Sequence, residues 1–333
     1  MDETNRQVIL TARPSGIAQA EHFAVRQGAI AQPGPGEILV RNHYLSVEPA
    51  MRGWIADSDN YAAPVAIGSV MRALAAGQVV ASGDDAYQIG DYVAGWFGWQ
   101  DYACVSTDQV VQRTSAAEMR ASLGILGING VTAYLALTSI GQPRAGETVL
   151  VSTAAGSVGS AVGQIARILG CHTIGIAGGP DKVRRCVETF GYDSAIDYRG
   201  EDVGAAVARL APHGIDIYFD NVAGRISDAV LPHLAMRARV VVCGTASIDR
   251  WMPWPQGPRV ERHLLVKRAR MEGFVIFDHM DRYADAVAQL RAWIAEGRLI
   301  WREEILDGIE ACPDALAGLY RGENDGKRLI RLV

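Results

Sequence analysis

Ala154-Ala155-Gly156-Ser157-Val158-Gly159 follows the apolar run Thr148-Val149-Leu150-Val151-Ser152 and opens a stretch with apolar residues at 158, 161, 162, 165, 166 and 169. The run suits a strand buried on both faces, and the spacing is one face of a helix. A bend between such elements can cradle phosphate. Gly156 lets the backbone approach a diphosphate, and Gly159 lets the helix pack against the strand. Amides around Ser157 and Val158, with the positive end of the helix dipole, would then meet the charge. Ala154 stands where the dinucleotide fingerprint has its first glycine. The bend alone could be a plain connection without ligand; the strand-helix alternation that follows it favours a dinucleotide.

Which dinucleotide depends on the end of the second strand. Thr173-Ile174-Gly175-Ile176-Ala177 runs into Gly178-Gly179-Pro180 with no carboxylate until Asp181. An NAD enzyme usually places an acid here to accept from the ribose 2′-hydroxyl. Instead Lys182, Arg184 and Arg185 crowd the start of the next helix. Cations there oppose the macrodipole unless a bound phosphate pairs with them. The expected cofactor is therefore NADP(H), with a solvated basic helix end as the plainer alternative.

The elements that position these residues fall into two patterns. Ile38–Arg41, Val79–Ala81 and Tyr92–Phe97 read as short strands separated by turns at 33–36 and 82–85, a mostly antiparallel β-rich domain. After about residue 125, β-α-β units recur. Strands are expected at 148–152, 173–177, 194–197, 215–220 and 239–243, with Gly273–Phe277 as a sixth, and Pro180 opens a helix. A long helix carrying Tyr283, Val287, Leu290 and Ile294 on one side stops at Gly297, and Arg328–Val333 is a strand returning to the first domain. The expected architecture is α/β: a Rossmann doubly wound parallel sheet over residues 127–298, and a β-rich catalytic domain over 1–126 and 299–333.

Composition narrows the rest. A chain of 333 residues with 49% hydrophobic and 21% charged residues is globular rather than disordered. A net charge of −5, without a basic block, speaks against nucleic acid as partner. No stretch approaches the roughly 18 apolar residues of a membrane helix, and the polar start lacks the apolar core of a signal peptide. Five scattered cysteines without a Cys-x-x-Cys pair suit reduced thiols and a cytoplasmic setting. No His-x-x-x-His pair or Gly-His-Glu triplet offers zinc ligands, so no metal is expected. No Gly-x-Ser-x-Gly elbow or Walker lysine supports hydrolase or ATPase chemistry.

These motifs together resemble the prostaglandin reductase / leukotriene B4 12-hydroxydehydrogenase group, zinc-free NADPH-dependent alkenal/one oxidoreductases of the medium-chain dehydrogenase type. The likeness runs through Leu45–Gly53, Gly68–Arg72, Gly98–Tyr102, Gly130–Tyr134, Ala154–Gly159, Phe219–Val222, Val242–Gly244, Arg270–Phe274 and Gly322–Lys327. It implies a GroES-like catalytic domain. It also implies that Lys182 and Tyr198 hold the adenosine 2′-phosphate, and that Asn221, Cys243 and Gly244 line the ribose and nicotinamide. Asn324 would close over the cofactor, and Phe274, Val275 and Ile276 would lie beside the nicotinamide on a strand that can form a dimer edge. Thr132 and Thr245, in or beside these runs, and Gly178, in the turn after the second strand, complete the expected cofactor-binding set.

The chain departs from the group at the substrate end. Ser247-Ile248-Asp249-Arg250 stands where relatives have a Ser-Tyr-Asn run, and Ala50 and Val266 stand near positions where they carry Tyr. Prostaglandins therefore do not carry over. The expected reaction is hydride transfer from NADPH to the β-carbon of an α,β-unsaturated ketone or aldehyde, without metal. Arg52, Tyr61 and Tyr134 are the candidates for the substrate carbonyl, although Arg52 could instead pair with Glu48 and Tyr134 could pack on the cofactor. Trp54, Trp99 and the 251–254 segment either wall the pocket or simply pack. A quinone oxidoreductase shares scaffold and cofactor, and a non-catalytic NADPH-binding protein is the alternative from another class. A homodimer is expected.

Overall fold

A computed structural model describes residues 4–58, 60–251 and 253–333. The chain divides into two compact units, one of residues up to 124 together with 303–333, the other of 125–302. The sequence placed these seams after 126 and 298.

The first unit begins with β1 (Thr4–Leu10), β2 (Phe23–Ala29) and β3 (Glu37–Ser46), then a short helix α1 (Met51–Ile55). β4 (Ala75–Ser82), β5 (Tyr92–Gly95), β6 (Tyr102–Ser106) and β7 (Val110–Thr114) follow. β1 and β2 pair antiparallel with each other. The core gathers Val8, Ile38, Leu45, Met51, Ile55, Phe97 and Trp99. Trp99 is fully buried, and its indole N–H donates to the Ser46 carbonyl at 3.0 Å. An indole N–H out of water needs such a partner, so Trp99 belongs to the packing.

The second unit opens with α2 (Ile128–Ala136), then alternates: β8 (Thr148–Ser152), α3 (Ser157–Ile168), β9 (His172–Ala177), α4 (Pro180–Glu188), β10 (Ser194–Asp197), α5 (Val203–Leu210), β11 (Ile215–Asp220), α6 (Gly224–Val230) and β12 (Leu234–Val242). α7 (Glu261–Lys267), β13 (Arg270–Gly273) and α8 (Tyr283–Ala295) complete it. The sheet is parallel throughout, in the order β10-β9-β8-β11-β12-β13. Chain order reverses between β8 and β11, and in open parallel sheets such a reversal is the point at which a ligand crevice forms at the strands' carboxyl ends.

The sixth strand differs from expectation. β13 is Arg270–Gly273, and Phe274–Ile276 lie beyond it, leading into a 3₁₀ turn over Ile276–Arg282. The reason is position. β13 is an edge strand with every residue exposed, so it needs no apolar run. Phe274 and Ile276 are apolar because they bury their side chains past the strand end, where Phe274 stacks on His279 at 4.8 Å.

Returning to the first unit, β14 (Glu303–Asp307), α9 (Cys312–Arg321) and β15 (Lys327–Arg331) close the chain. β15 pairs parallel with β14 and antiparallel with β3, giving a seven-stranded sheet.

Candidate functional site

The bend after β8 has the shape a diphosphate needs. Thr153 adopts a positive φ of 54°, and the Gly156 amide donates back to its carbonyl at 2.9 Å. Gly156 sits at the N-cap of α3 and has no side chain to offer the first-turn amides, which leaves them for an anion. A Cβ on Gly159 would lie 2.2 Å from the Thr153 carbonyl oxygen, so only glycine lets α3 approach the bend this closely. The Tyr192 hydroxyl locks the arrangement by donating to the Gly159 carbonyl at 2.6 Å. Ala154 is fully buried against Gly175, where its methyl would touch any added Cβ at 2.8 Å, so the small residue in the first glycine's place is tolerated.

The adenosine corner is built by two neighbouring strands. After β9, Gly178 lies under the Tyr198 ring, so closely that a Cβ would meet it at 2.8 Å. Gly179 has φ of 90°, and α4 begins with Pro180, bringing the half-buried Lys182 into its first turn. Arg184 is ion-paired with Asp181 at 2.7 Å, so the basic cluster is thinner than the sequence suggests. A carboxylate does reach this turn, from β10. Asp197 Oδ1 accepts from the Gly179 amide at 2.8 Å and the Arg199 amide at 3.0 Å. These two amides hold its carboxyl below the usual range. The Arg199 guanidinium lies 5.7 Å from the Tyr198 ring centroid.

At the reversal between β8 and β11, the Asn221 side-chain amide donates to the Ser152 carbonyl at 2.7 Å. The Asp220 carbonyl accepts from the amides of Cys243 at 2.8 Å and Gly244 at 3.1 Å, drawing the end of β12 to that of β11. Burial, and secondly the charge of Asp220, push the Cys243 thiol up to about 12, so this cysteine stays protonated near neutral pH. Thr245 is exposed and starts a turn to Ile248, whereas Thr132 is buried on α2.

The substrate candidates are distributed between the units. In the first, Arg52 is 3% exposed with its guanidinium 5.7 Å from the Tyr320 ring centroid, and Tyr61 is 52% exposed. The Tyr320 hydroxyl donates to the Pro49 carbonyl at 2.6 Å, just before α1. Burial raises its pKa and the Arg52 charge pulls the other way. Glu48 receives Lys327 and the Ser46 hydroxyl. The Asn324 amide donates to Gly326 O at 2.9 Å, shaping its own turn. In the second unit, Tyr134 packs edge-on against Trp293 at 5.6 Å. Trp54 is buried edge-on against Trp96 at 5.5 Å, whereas Trp254 is 74% exposed. Ser152, Asp197, Arg199 and Asp220 received no role from the sequence; for Asp197 and Arg199 the Asp-Tyr-Arg triplet that begins on the last residue of β10 was the available signal.

Residues 6–112 match a family described as the N-terminal domain of oxidoreductase, and residues 157–292 match one described as zinc-binding dehydrogenase. The chain is 41% identical to the NADPH-dependent curcumin reductase of Escherichia coli, over 99% of this chain and 98% of that one. It is 36% identical to the NADP-dependent 2-alkenal reductase of Nicotiana tabacum, over 98% and 97%. This chain belongs to the medium-chain dehydrogenase/reductase family. Within the family, the crystal structure of CurA from Vibrio vulnificus in complex with NADPH superposes with a TM-score of 0.93 at 40% identity, covering 98% of this chain and 99% of that one. The zinc of the family's description does not fit this chain: among the described residues, no group of three or more His, Cys, Asp or Glu can hold a metal ion.

Proposed function

We propose that this protein reduces the C=C bond of α,β-unsaturated ketones and aldehydes with NADPH. The observation that carries the reading is the pairing of an open helix start after β8 with a lysine-bearing turn after β9, in a chain 41% identical to an NADPH-dependent curcumin reductase. Ser157–Gly159 amides would hold the diphosphate, Lys182 and Tyr198 the 2′-phosphate, and Asn221, Cys243, Gly244 and Thr245 the ribose and nicotinamide. Thr132, Phe274, Val275, Ile276 and Asn324 complete the proposed cofactor contacts. When bound, NADPH supplies a hydride to the substrate β-carbon. The C=C electron pair then moves toward the carbonyl oxygen, and water returns a proton at the α-carbon.

The chain's task is to orient the alkene and meet charge on the substrate oxygen. Of the three carbonyl candidates, Arg52 offers a buried, permanently charged donor; Tyr61 offers a hydroxyl on an exposed segment; Tyr134 has its ring committed to Trp293. Arg52 is therefore placed first.

The assay is NADPH consumption with a linear enone, an alkenal and a quinone in parallel, with products identified by mass spectrometry. Saturated ketone or aldehyde is expected. Turnover of quinone alone, an allylic alcohol product, or tight NADPH binding without turnover would each displace the reading.

The protein is further proposed to be a cytoplasmic homodimer. Among the described residues β13 pairs with β12 alone, and Met271 on β13 and Leu265 on α7 are exposed. Such an edge is a template for a second copy. Light scattering at micromolar concentration is expected to give twice the chain mass. No helix among the described residues is long and apolar enough to cross a membrane.

A further inference from the structure

Asp220 is 3% exposed, and four donors converge on its carboxylate. Oδ1 accepts from the amides of Val222 and Ala223, both at 2.9 Å, and from the Ser152 hydroxyl at 3.3 Å. Oδ2 accepts from the Ser227 hydroxyl, which lies 2.9 Å from the Tyr218 hydroxyl. A carboxylate that binds this many donors is itself held rigidly, and so is what it holds. Ala223 has φ of 58°, a strained conformation for a residue with a side chain, and its amide is one of the four donors.

The position of this cluster gives it a meaning beyond folding. Ser152 is the last residue of β8 and immediately precedes the diphosphate bend. Its hydroxyl accepts from the Asn221 amide at 2.8 Å while donating to Asp220, and its carbonyl takes the Asn221 side chain. Asp220 also receives the Cys243 and Gly244 amides through its own carbonyl. One residue thus joins three strand ends at the point where chain order reverses. The adenosine corner, on β9 and β10, shares none of these bonds.

We propose that the Asp220 side chain is a positioning group for the nicotinamide half of the cofactor: through Ser152 and the 222–223 turn it fixes Asn221 relative to the diphosphate bend, its backbone carbonyl holds Cys243 and Gly244 whatever the side chain, and the adenosine half is left to Lys182 and Tyr198. The inference rests on the NADPH reading given above. It divides the cofactor energetically, which a general role in folding would not.

The test compares binding of 2′,5′-ADP, which carries only the adenosine half, with binding of NADPH. Asp220→Ala, Asp220→Asn and Ser227→Ala proteins are measured by titration calorimetry, with kcat on an enone as a second reading. In Asp220→Ala, 2′,5′-ADP affinity is expected to stay within about twofold of the parent while NADPH affinity and kcat each fall about tenfold or more. Asp220→Asn is expected to fall between, because its amide oxygen still accepts from Val222 and Ala223. Ser227→Ala is expected to move the same way by less, and it decides the matter with Asp220→Asn should Asp220→Ala not fold. Equal losses for both ligands, or unchanged NADPH affinity and kcat, would overturn the proposal. A parent protein that binds neither ligand would instead remove the cofactor reading, and this inference with it.

Discussion

Lys327 Nζ and Glu48 Oε1 meet 2.5 Å apart with both side chains almost wholly out of water. Lys327 also donates to the Ser46 hydroxyl at 2.7 Å and the Val47 carbonyl at 3.2 Å. Burial lowers the lysine's pKa and the Glu48 charge opposes that. The pair ties β15, near the end of the chain, to the segment that leads into α1 and Arg52. An ionic tie in a dry interior holds geometry firmly, at the cost of desolvating both partners.

Removing one partner therefore leaves a charge stranded. Lys327→Met is expected to destabilise the protein by about 3–5 kcal/mol, and Glu48→Gln by a similar amount. The double variant is expected to lose less than the two single losses added together, since neither charge remains. Urea unfolding of the four proteins checks this; additive losses would show that the pair is not coupled.

Gly159→Ala is expected to weaken NADPH binding by about tenfold or more, because the new methyl would lie 2.2 Å from the Thr153 carbonyl and must push α3 off the bend. Calorimetry reads the affinity directly. An alanine protein that binds as tightly as its parent would mean that the bend does not hold the diphosphate.

Arg199 and Lys182 should contribute unequally to the choice of dinucleotide. Lys182 lies in the first turn of α4, and Arg199 beside the Tyr198 ring. Lys182→Ala is expected to cost about tenfold in NADPH affinity, as a lost charge-assisted hydrogen bond does, and to leave NADH nearly unchanged. Arg199→Ala is expected to cost about threefold, with a shallower salt dependence. Fluorescence titration with both dinucleotides at low and high salt separates the two contributions. Equal losses for NADH would place both residues away from the 2′-phosphate.

What could be read from the sequence follows from burial. β8, β9 and β11 are covered on both faces, so they appear as apolar runs whatever their neighbours. β13 and β14 lie at sheet ends and carry exposed or half-buried polar residues, so they left no such trace. Phe274–Ile276 misled for the same reason in reverse, being apolar through packing beyond a strand. Lys182 stood out through the basic start of α4, whereas Tyr198 became a cofactor candidate through family resemblance alone. Asp197 and Asp220 did not emerge, because their partners are set by strand order: β10 lies beside β9, and β11 beside both β8 and β12. Nothing in the local spacing of residues 152, 220 and 243 says that they end on one crevice.

Asp197 gives the adenosine corner a defined acid limit. Its folded carboxyl is held below the ordinary range by the Gly179 and Arg199 amides. As pH falls, the unfolded chain takes up this proton first, at about 3.9, so the contribution of Asp197 to stability is present above that value and is lost on acidification through the lower folded value. Asp197→Asn removes the titration. The melting temperature of the parent is therefore expected to exceed that of the variant near neutral pH, and the gap should close as the pH drops below about 4. Calorimetric scans of both proteins from neutral pH downward measure the gap. A difference that stays constant across this range, or widens in acid, would show that the two amides do not depend on the charge of Asp197.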